Sequence, residues 1–408
     1  MADFGGGDLE AFRAETRAWL EANYPAALRN PNAKVDPEAM WGGRPFANNQ
    51  TDPQIAWMRK VAEKGWTAPS WPKAYGGGGL SKDKARIVEQ EVAGGHYRAP
   101  LASFGLWMLG PVLLEYANEA QKQEHLPKIV RGEIRWCQGY SEPGAGSDLA
   151  SLATKCQDKG DHWLINGSKI WTSYANRADW CFCLVRTDAS KKHEGVSFIL
   201  IDMTSAGIET RPIQLISGDS PFCETFFTDV KVPKDNLVGQ VNAGWEIAKR
   251  LLQYERQNIS AGFGGGGTAG GTAGDLGQLA KQYVGVDETG AVDDGDLRTR
   301  ITKNKMDFQS FYLTLSRVAA ESRASNGPSA ATSIIKYAAA SLAQERSELI
   351  VEALGNQGLG WEGEGFAPGE ITATRGWLRA KANSIEGGTS EINLNVVSKR
   401  VLGLPDPK

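Results

Sequence analysis

The chain reads as an α+β multidomain protein, with a helical segment over 1–135, a β-rich segment over 136–236 and a second helical segment over 237–408. Three observations predict that order. Leu9, Phe12, Thr16, Trp19 and Leu20 recur at helical spacing near the start, and similar patterns return in the last third. Between them, short runs rich in Val, Ile, Phe and Trp are separated by polar turns. The texture changes abruptly at Arg135 and again at Pro233.

Residues 8–23 predict an opening amphipathic helix. After a loop rich in Pro and Asn, Trp57-Met58-Arg59-Lys60-Val61-Ala62 starts a second helix, which gives way to an extended stretch over 65–72. The glycines 76–79 invite a phosphate-loop reading. They lack both the Gly-Lys-Ser/Thr ending and a preceding apolar strand, so a solvent loop is expected. Ser81 is placed to cap a helical pattern that lasts to about Arg131. In the middle third, Trp163-Leu164-Ile165 and Ser168-Lys169-Ile170-Trp171 flank Asn166-Gly167, the composition of a tight hairpin turn. Runs at 180–185, 196–201 and 225–232 complete a small β-barrel or sandwich. A helix over 243–260 opens the last third. The glycine-rich run 262–274 after it reads as a flexible linker, and the acidic stretch 287–296 as a solvated loop.

Composition narrows the function classes. A chain of 408 residues has room for two or three domains. Its net charge of −3 supplies no basic field for a nucleic acid. Five cysteines, with no CxxC and no histidine at ligand spacing, predict a reduced, metal-free, cytoplasmic protein. Cys181 and Cys183 alternate within an apolar run and are expected as buried strand residues. Met1 is not followed by a basic and then an apolar stretch, and no segment reads as a bilayer span, so neither a leader nor a membrane is expected. Thirteen tryptophans suit large apolar pockets or interfaces.

Three stretches carry chemistry. Ser141-Glu142-Pro143-Gly144-Ala145-Gly146-Ser147-Asp148 is neither helix interior nor central strand, because proline lacks a donor and glycine weakens both elements. It reads either as a rigid loop offering N–H groups and hydroxyls to a flat ligand or as an ordinary interdomain turn. On the helix 243–260, Ala248, Leu252, Glu255 and Ile259 form the apolar stripe, with Leu251 adjoining and Lys249, Arg250, Gln253 and Gln257 outward. A carboxylate on that stripe is costly unless paired or neutral. Glu255 is therefore either half of an internal ion pair, with Arg256 or a distant arginine, or a general base. In Ser384-Ile385-Glu386-Gly387-Gly388-Thr389-Ser390-Glu391-Ile392, glycines run into a helix with Ile392, Val396 and Val397 as its apolar residues. That start is either a plain N-cap or a set of N–H groups for an anionic or carbonyl oxygen.

Taken together, these residues resemble the acyl-CoA dehydrogenase family along nearly the whole chain. The matching pieces are GWTAPSWPKAYGGGG (65–79), LPKIVRGE (126–133), GYSEPGAGSD (139–148), NGSKIWTS (166–173), DVKV (229–232), Gly244-Trp245, Tyr254-Glu255-Arg256, EGGTSEI (386–392) and Arg400-Val401-Leu402-Gly403. The resemblance implies an N-terminal helical domain, a middle β-domain and a C-terminal four-helix bundle. It also implies non-covalent FAD and the oxidation of an acyl-CoA to its trans-2-enoyl form. A carboxylate removes the α-proton while the β-hydrogen leaves as hydride to flavin N5, and an electron-transfer flavoprotein takes the electrons. By resemblance, Gln138, Tyr140 and Ser141 line the isoalloxazine, Trp171 and Ser173 cover its N5 side, and Thr389 and Glu391 touch FAD again. Ser147 meets the phosphopantetheine arm, and Arg256, Gly387 and Gly388 fall on the substrate side. A homo- or hetero-oligomer, dimeric or tetrameric, is implied as well.

Two departures refine this picture. Many members keep the catalytic glutamate where this chain has Gly387, and Glu386 stands one residue too early. Members that carry the base on the preceding helix place it at Glu255, the residue the helical stripe also singles out. The Arg-x-x-Phe-Gly motif that reaches FAD across a subunit interface is replaced by Leu297-Arg298-Thr299-Arg300-Ile301-Thr302, while Gly355-Asn356-Gln357-Gly358 matches a segment near the adenine. The pattern resembles bacterial enzymes acting on bulky acyl-CoAs such as steroid side chains. A partner subunit of a heteromer and an acyl-CoA oxidase are the alternatives.

Overall fold

The computed structural model describes residues 6–30, 35–47, 49, 51–264, 275–325 and 332–405. The chain divides into two compact units. One comprises residues 1–213 and 221–252, the other 214–220 and 253–408.

The first unit opens with α1 (Gly6–Asn23), α2 (Pro53–Glu63), α3 (Lys82–Gly94), α4 (Gly110–Tyr116) and α5 (Glu119–Val130). Leu20, Tyr24, Leu28, Trp57, Val61, Trp66 and Val88 form one core among these helices. Trp57 lies inside α2 rather than at its start. The helix begins at Pro53 because the Asp52 side chain accepts from the N–H groups of Gln54 and Ile55, and proline at the first position needs no donor. Ser81 caps α3 as expected, accepting from Lys84 N–H.

The glycines 76–79 are not a solvent loop. Gly77 and Gly78 are buried. A Cβ on Gly77 would sit 2.4 Å from the Trp71 carbonyl oxygen, and one on Gly78 would sit 2.7 Å from that of Pro69. The segment folds back on itself, with Gly78 N–H donating to Ala68 O and Leu80 N–H to Pro69 O. Glycine is needed here for backbone to approach backbone.

Eight strands follow: β1 (Trp136–Gly139), β2 (Lys155–Asp158), β3 (His162–Ser173), β4 (Trp180–Arg186), β5 (Val196–Asp202), β6 (Ile208–Ile213), β7 (Phe222–Pro233) and β8 (Leu237–Val238). They make one sheet in the order β6-β7-β3-β2-β4-β5-β8, with β1 pairing parallel to β4. Cys137, Cys156, Cys181, Cys183 and Cys223 are all free and buried in its core, as the alternation at 181–183 predicts.

Asn166-Gly167 is not a hairpin turn. It lies inside the twelve-residue β3, where the pairing with β7 shifts register between Ile165 and Gly167. Asn166 bonds across the sheet to Asp229 through both its amide and its carbonyl. A Cβ on Gly167 would meet Thr154 Oγ1 at 2.6 Å. The dipeptide faces a β-bulge in β7, where Thr228 and Asp229 together stand opposite Asn166 and Asp229 takes φ +50°, and its glycine lets the segment at Thr154 pass close by.

Helix α6 (Gly244–Gly264) runs through Leu252, where the two units divide. It extends beyond residue 260, so 262–264 are helical, and the rest of the glycine run lies outside the described residues. The second unit continues with α7 (Leu276–Tyr283), α8 (Gly295–Ser325), α9 (Thr332–Leu354), α10 (Pro368–Ala380) and α11 (Ser390–Val396). Helix α9 is its centre and packs against α7, α8, α10 and α11. Asp294 accepts from Leu297 N–H at 2.9 Å and starts α8, so part of the acidic stretch serves as a cap. Ile392 departs from the expected apolar stripe of α11, being 38 % exposed. Among the described residues no helix is long and apolar enough to cross a membrane.

Candidate active site

In the first unit, the octet 141–148 is built around a closed turn. Glu142 N–H donates to Ala145 O at 3.1 Å and Ala145 N–H donates back to Glu142 O at 2.9 Å, leaving Pro143 and Gly144 at the tip. Pro143, Gly144, Gly146 and Ser147 are exposed. A Cβ on Gly144 or Gly146 would meet nothing within 4 Å, so packing within the protein does not demand glycine at either place. An open cradle of this kind admits a ligand that lies against the main chain. Asp148 accepts from Ser151 Oγ at 2.6 Å and pairs with Lys192 at 2.8 Å, which pins the far end of the loop.

The octet is fastened to β3. Ile170 N–H donates to Ser141 O at 2.9 Å. One residue on, Trp171 is 53 % exposed and held at φ +59°, with Phe222 edge-on at 6.0 Å. The register shifts again there, between Lys169 and Thr172, which turns the indole outward and Thr172 inward. A bulky residue in the left-handed region persists only where its surroundings fix it. The result is a flat apolar face beside the half-buried Ser141 and Ser173, chemistry that fits a planar heteroaromatic ring with polar edges. Gln138 is half-buried at the end of β1. Tyr140 is 5 % exposed with its ring edge-on to Phe182, so its side chain belongs to the core.

Two residues of this site escaped the sequence reading. The Lys169 side chain is 0 % exposed and pairs with Glu142 at 2.7 Å. The same ammonium donates to Tyr140 O at 3.1 Å. Parity held the signal, because Trp163, Ile165 and Lys169 share one face of β3 and a lysine there is as misplaced as a glutamate on an apolar stripe.

In the second unit, Gly387 and Gly388 adopt φ +63° and +90°, and Thr389 caps α11 by accepting from Ile392 N–H at 3.2 Å. The plain-cap reading of Thr389 is therefore realised. Lys336 on α9 is 6 % exposed and donates to the carbonyls of Asn383 and Gly388, each at 2.8 Å. Burial lowers its pKa below the ordinary lysine value. Asn393 Nδ2 donates to the Gly388 and Thr389 carbonyls at 2.9 Å. Sequence reasoning missed Lys336 because α9 carries no motif around it. Glu386 is paired with Arg379 at 2.8 Å and its side chain is 44 % exposed. Glu391 is exposed, and its own N–H and the Thr389 hydroxyl hold its carboxyl below the usual range.

On α6, Ile247, Ala248 and Leu251 are fully buried and Leu252 is half-buried. The stripe therefore centres on Leu251 rather than Leu252. Glu255 follows Leu251 by four positions and Ala248 by seven, which keeps it on that face, half-buried and engaged by neighbouring groups. The side chains of Arg256 and Ile259 lie outside the described residues.

Comparison with known proteins completes the description. Family models for the acyl-CoA dehydrogenase N-terminal, middle and C-terminal domains match residues 8–133, 137–230 and 242–402. Acyl-CoA dehydrogenase IpdE1 of Mycolicibacterium smegmatis is 34 % identical over 98 % of this chain and 98 % of its own. The ChsE4–ChsE5 complex from Mycobacterium tuberculosis superposes with a TM-score of 0.74 at 28 % identity, covering all of both chains. The Tcur3481–Tcur3483 steroid ACAD gives 0.73 at 27 % identity, again over all of both chains.

Proposed function

Since the chain belongs to the acyl-CoA dehydrogenase family over all three of its domains, and so to an oxidoreductase family, we propose that it oxidises an acyl-CoA to the trans-2-enoyl-CoA with Glu255 as base. FAD, when bound, supplies the two-electron acceptor for the β-hydrogen, and the electrons leave to an electron-transfer flavoprotein. The chain's residues do the rest. Trp171 covers one face of the cofactor site, and the hydroxyls of Ser141 and Ser173 meet its edge. Ser147 and the open glycines of the octet receive the phosphopantetheine arm. Thr389 and Glu391 meet the cofactor a second time. The N–H groups of Gly387 and Gly388 are offered to the thioester oxygen, where one preorganised donor is worth roughly 3–4 kcal/mol as charge develops. By stabilising that charge the donors make the α-proton acidic, and a Glu255 carboxylate oxygen takes it.

One observation carries the choice of base. The Glu386 side chain is 44 % exposed, whereas Glu255 lies half-buried on the apolar face of α6. Glu255→Gln is expected to keep flavin bound while abolishing its bleaching by substrate, and Glu386→Gln to bleach normally. The opposite pattern would assign the base to Glu386.

A bulky, branched or ring-bearing acyl group is the proposed substrate class, supported by the likeness to the Tcur3481–Tcur3483 steroid ACAD. A turnover panel of straight, branched and steroid acyl-CoAs with an artificial acceptor tests it, and an optimum on short straight chains would overturn it. Both structural neighbours named above are two-protein assemblies, which favours a second reading in which this chain completes a heteromer. Purified alone, such a subunit would be colourless.

A further inference from the structure

Lys169 and Glu142 make a buried ion pair that joins the two segments proposed to face the flavin. Lys169 is 1 % exposed and Glu142 8 %. Lys169 Nζ donates to Glu142 Oε1 at 2.7 Å and to Tyr140 O at 3.1 Å. Glu142 also accepts from Ala153 N–H at 2.7 Å and Thr154 N–H at 2.9 Å, so both its oxygens are engaged. Burial works to raise the Glu142 pKa, but the charge and hydrogen bond of Lys169, aided by Thr154 and Ala153, hold it below the ordinary value.

The geometry brackets Ser141. The carbonyl before it is held by Lys169, its own carbonyl by Ile170 N–H at 2.9 Å, and the carboxylate after it by Lys169 again. Two residues beyond Lys169 stands Trp171 at φ +59°, within the register shift. The ammonium therefore fixes the peptide plane before Ser141 and the side chain after it, Ile170 N–H fixes the plane after Ser141, and Lys169 itself stands at the root of the Trp171 wall. A buried ion pair is weak as a source of stability, because desolvating two charges offsets most of their attraction. Stability alone does not explain its place at this junction.

We infer that Lys169 and Glu142 are positioning residues for the flavin, setting the Ser141 hydroxyl and the Trp171 indole at the spacing the isoalloxazine requires. This rests on the reading of 138–141 and 171–173 as the FAD wall. The pair acts through those residues and touches no reacting atom.

The test is the neutral double variant Lys169→Met/Glu142→Gln, which leaves no unpaired buried charge and keeps an oxygen for one of the two N–H donors, but removes the donor to Tyr140 O. It is expected to unfold cooperatively within a few degrees of wild type. FAD titrated into apoprotein should bind at least tenfold more weakly, and the bound flavin should show shifted visible bands and a shifted midpoint potential. Glu142→Gln alone keeps Lys169 on Tyr140 O and is expected to move the same three readouts less. Wild-type affinity, bands and potential in a folded double variant overturn the inference while leaving the proposed function standing. Loss of folding in both variants also overturns it, in favour of a purely structural pair. A wild-type chain that takes up no FAD overturns both.

Discussion

Acidification removes stability from the first unit through a single buried histidine. His125 on α5 is 2 % exposed, with its ring edge-on to Trp136 at 5.4 Å and to Trp180 at 5.1 Å. Burial there lowers its pKa from 6.5 to about 4. The unfolded chain binds this proton near pH 6.5 and the folded chain only near 4, so each pH unit between them penalises the native state. At about 1.4 kcal/mol per unit, the loss from pH 6.5 down to 4 is about 3 kcal/mol, and above pH 6.5 it vanishes. His125→Phe keeps a ring between the tryptophans and removes the titrating group. Melting curves of wild type and variant, compared at pH 7 and pH 4, should shift in the variant's favour by about 3 kcal/mol. For a cooperative unit of about 250 residues that is roughly 6 °C. The chain has four histidines, so a ring-labelled sample gives few signals. The one absent from the variant should keep its neutral position down to about pH 4. The reasoning fails if that signal titrates near 6.5, or if the two proteins lose melting temperature equally on acidification.

Gly77→Ala drives a methyl to 2.4 Å from the Trp71 carbonyl oxygen and is expected to cost roughly 2–3 kcal/mol in melting experiments. Gly144→Ala, with nothing within 4 Å, should melt as wild type, and equal losses in the two would refute the packing argument. Lys336→Met removes the donor shared by the Asn383 and Gly388 carbonyls, so the amides of Ile392 and Asn393, which bond to Thr389, should exchange hydrogen at least tenfold faster. Unchanged exchange would show that Asn393 holds the turn unaided.

Much of the fold was legible because its signals are local. Ser81 capped its helix, and the alternating cysteines at 181 and 183 lie in a buried strand. Apart from small shifts at Trp57, Leu252 and Ile392, the misreadings came from glycines. Asn166-Gly167 has the composition of a hairpin, but the same residues suit a strand whose partner bulges, and only the pairing with β7 and the approach of Thr154 separate the two. Glycines 77 and 78 look like a flexible loop until the Trp71 and Pro69 carbonyls are seen against them. Both depend on close approaches of the chain to itself, six to thirteen residues apart, that composition does not reveal. At the candidate site, outlying side chains such as Ser141 and Trp171 were named from motif alone. Lys169 and Glu142 lay inside the same motifs and were passed over, since their role comes from pairing across 27 residues.

The glycine at 387 and the proposed base at 255 are best understood as one arrangement. At φ +63°, Gly387 occupies a conformation that costs any other L-residue about 1–2 kcal/mol, and Gly388 follows at +90°. A glutamate at 387 would have to carry that strain within a turn whose carbonyls are already held by Lys336 and Asn393. Glu386, for its part, could reach a substrate only by giving up Arg379. A carboxylate on α6 is spared the backbone strain, because α6 is regular helix there, and its side chain already lies on the buried face. In the proposed reaction, a base on the helix leaves the turn a single task, that of presenting N–H groups to an oxygen. Glycine suits that task, since nothing on its α-carbon stands in the way. On this reading, donor and base belong to separate elements, so the α6 residues beside Glu255 can vary with the size of the acyl group without disturbing the turn that polarises it.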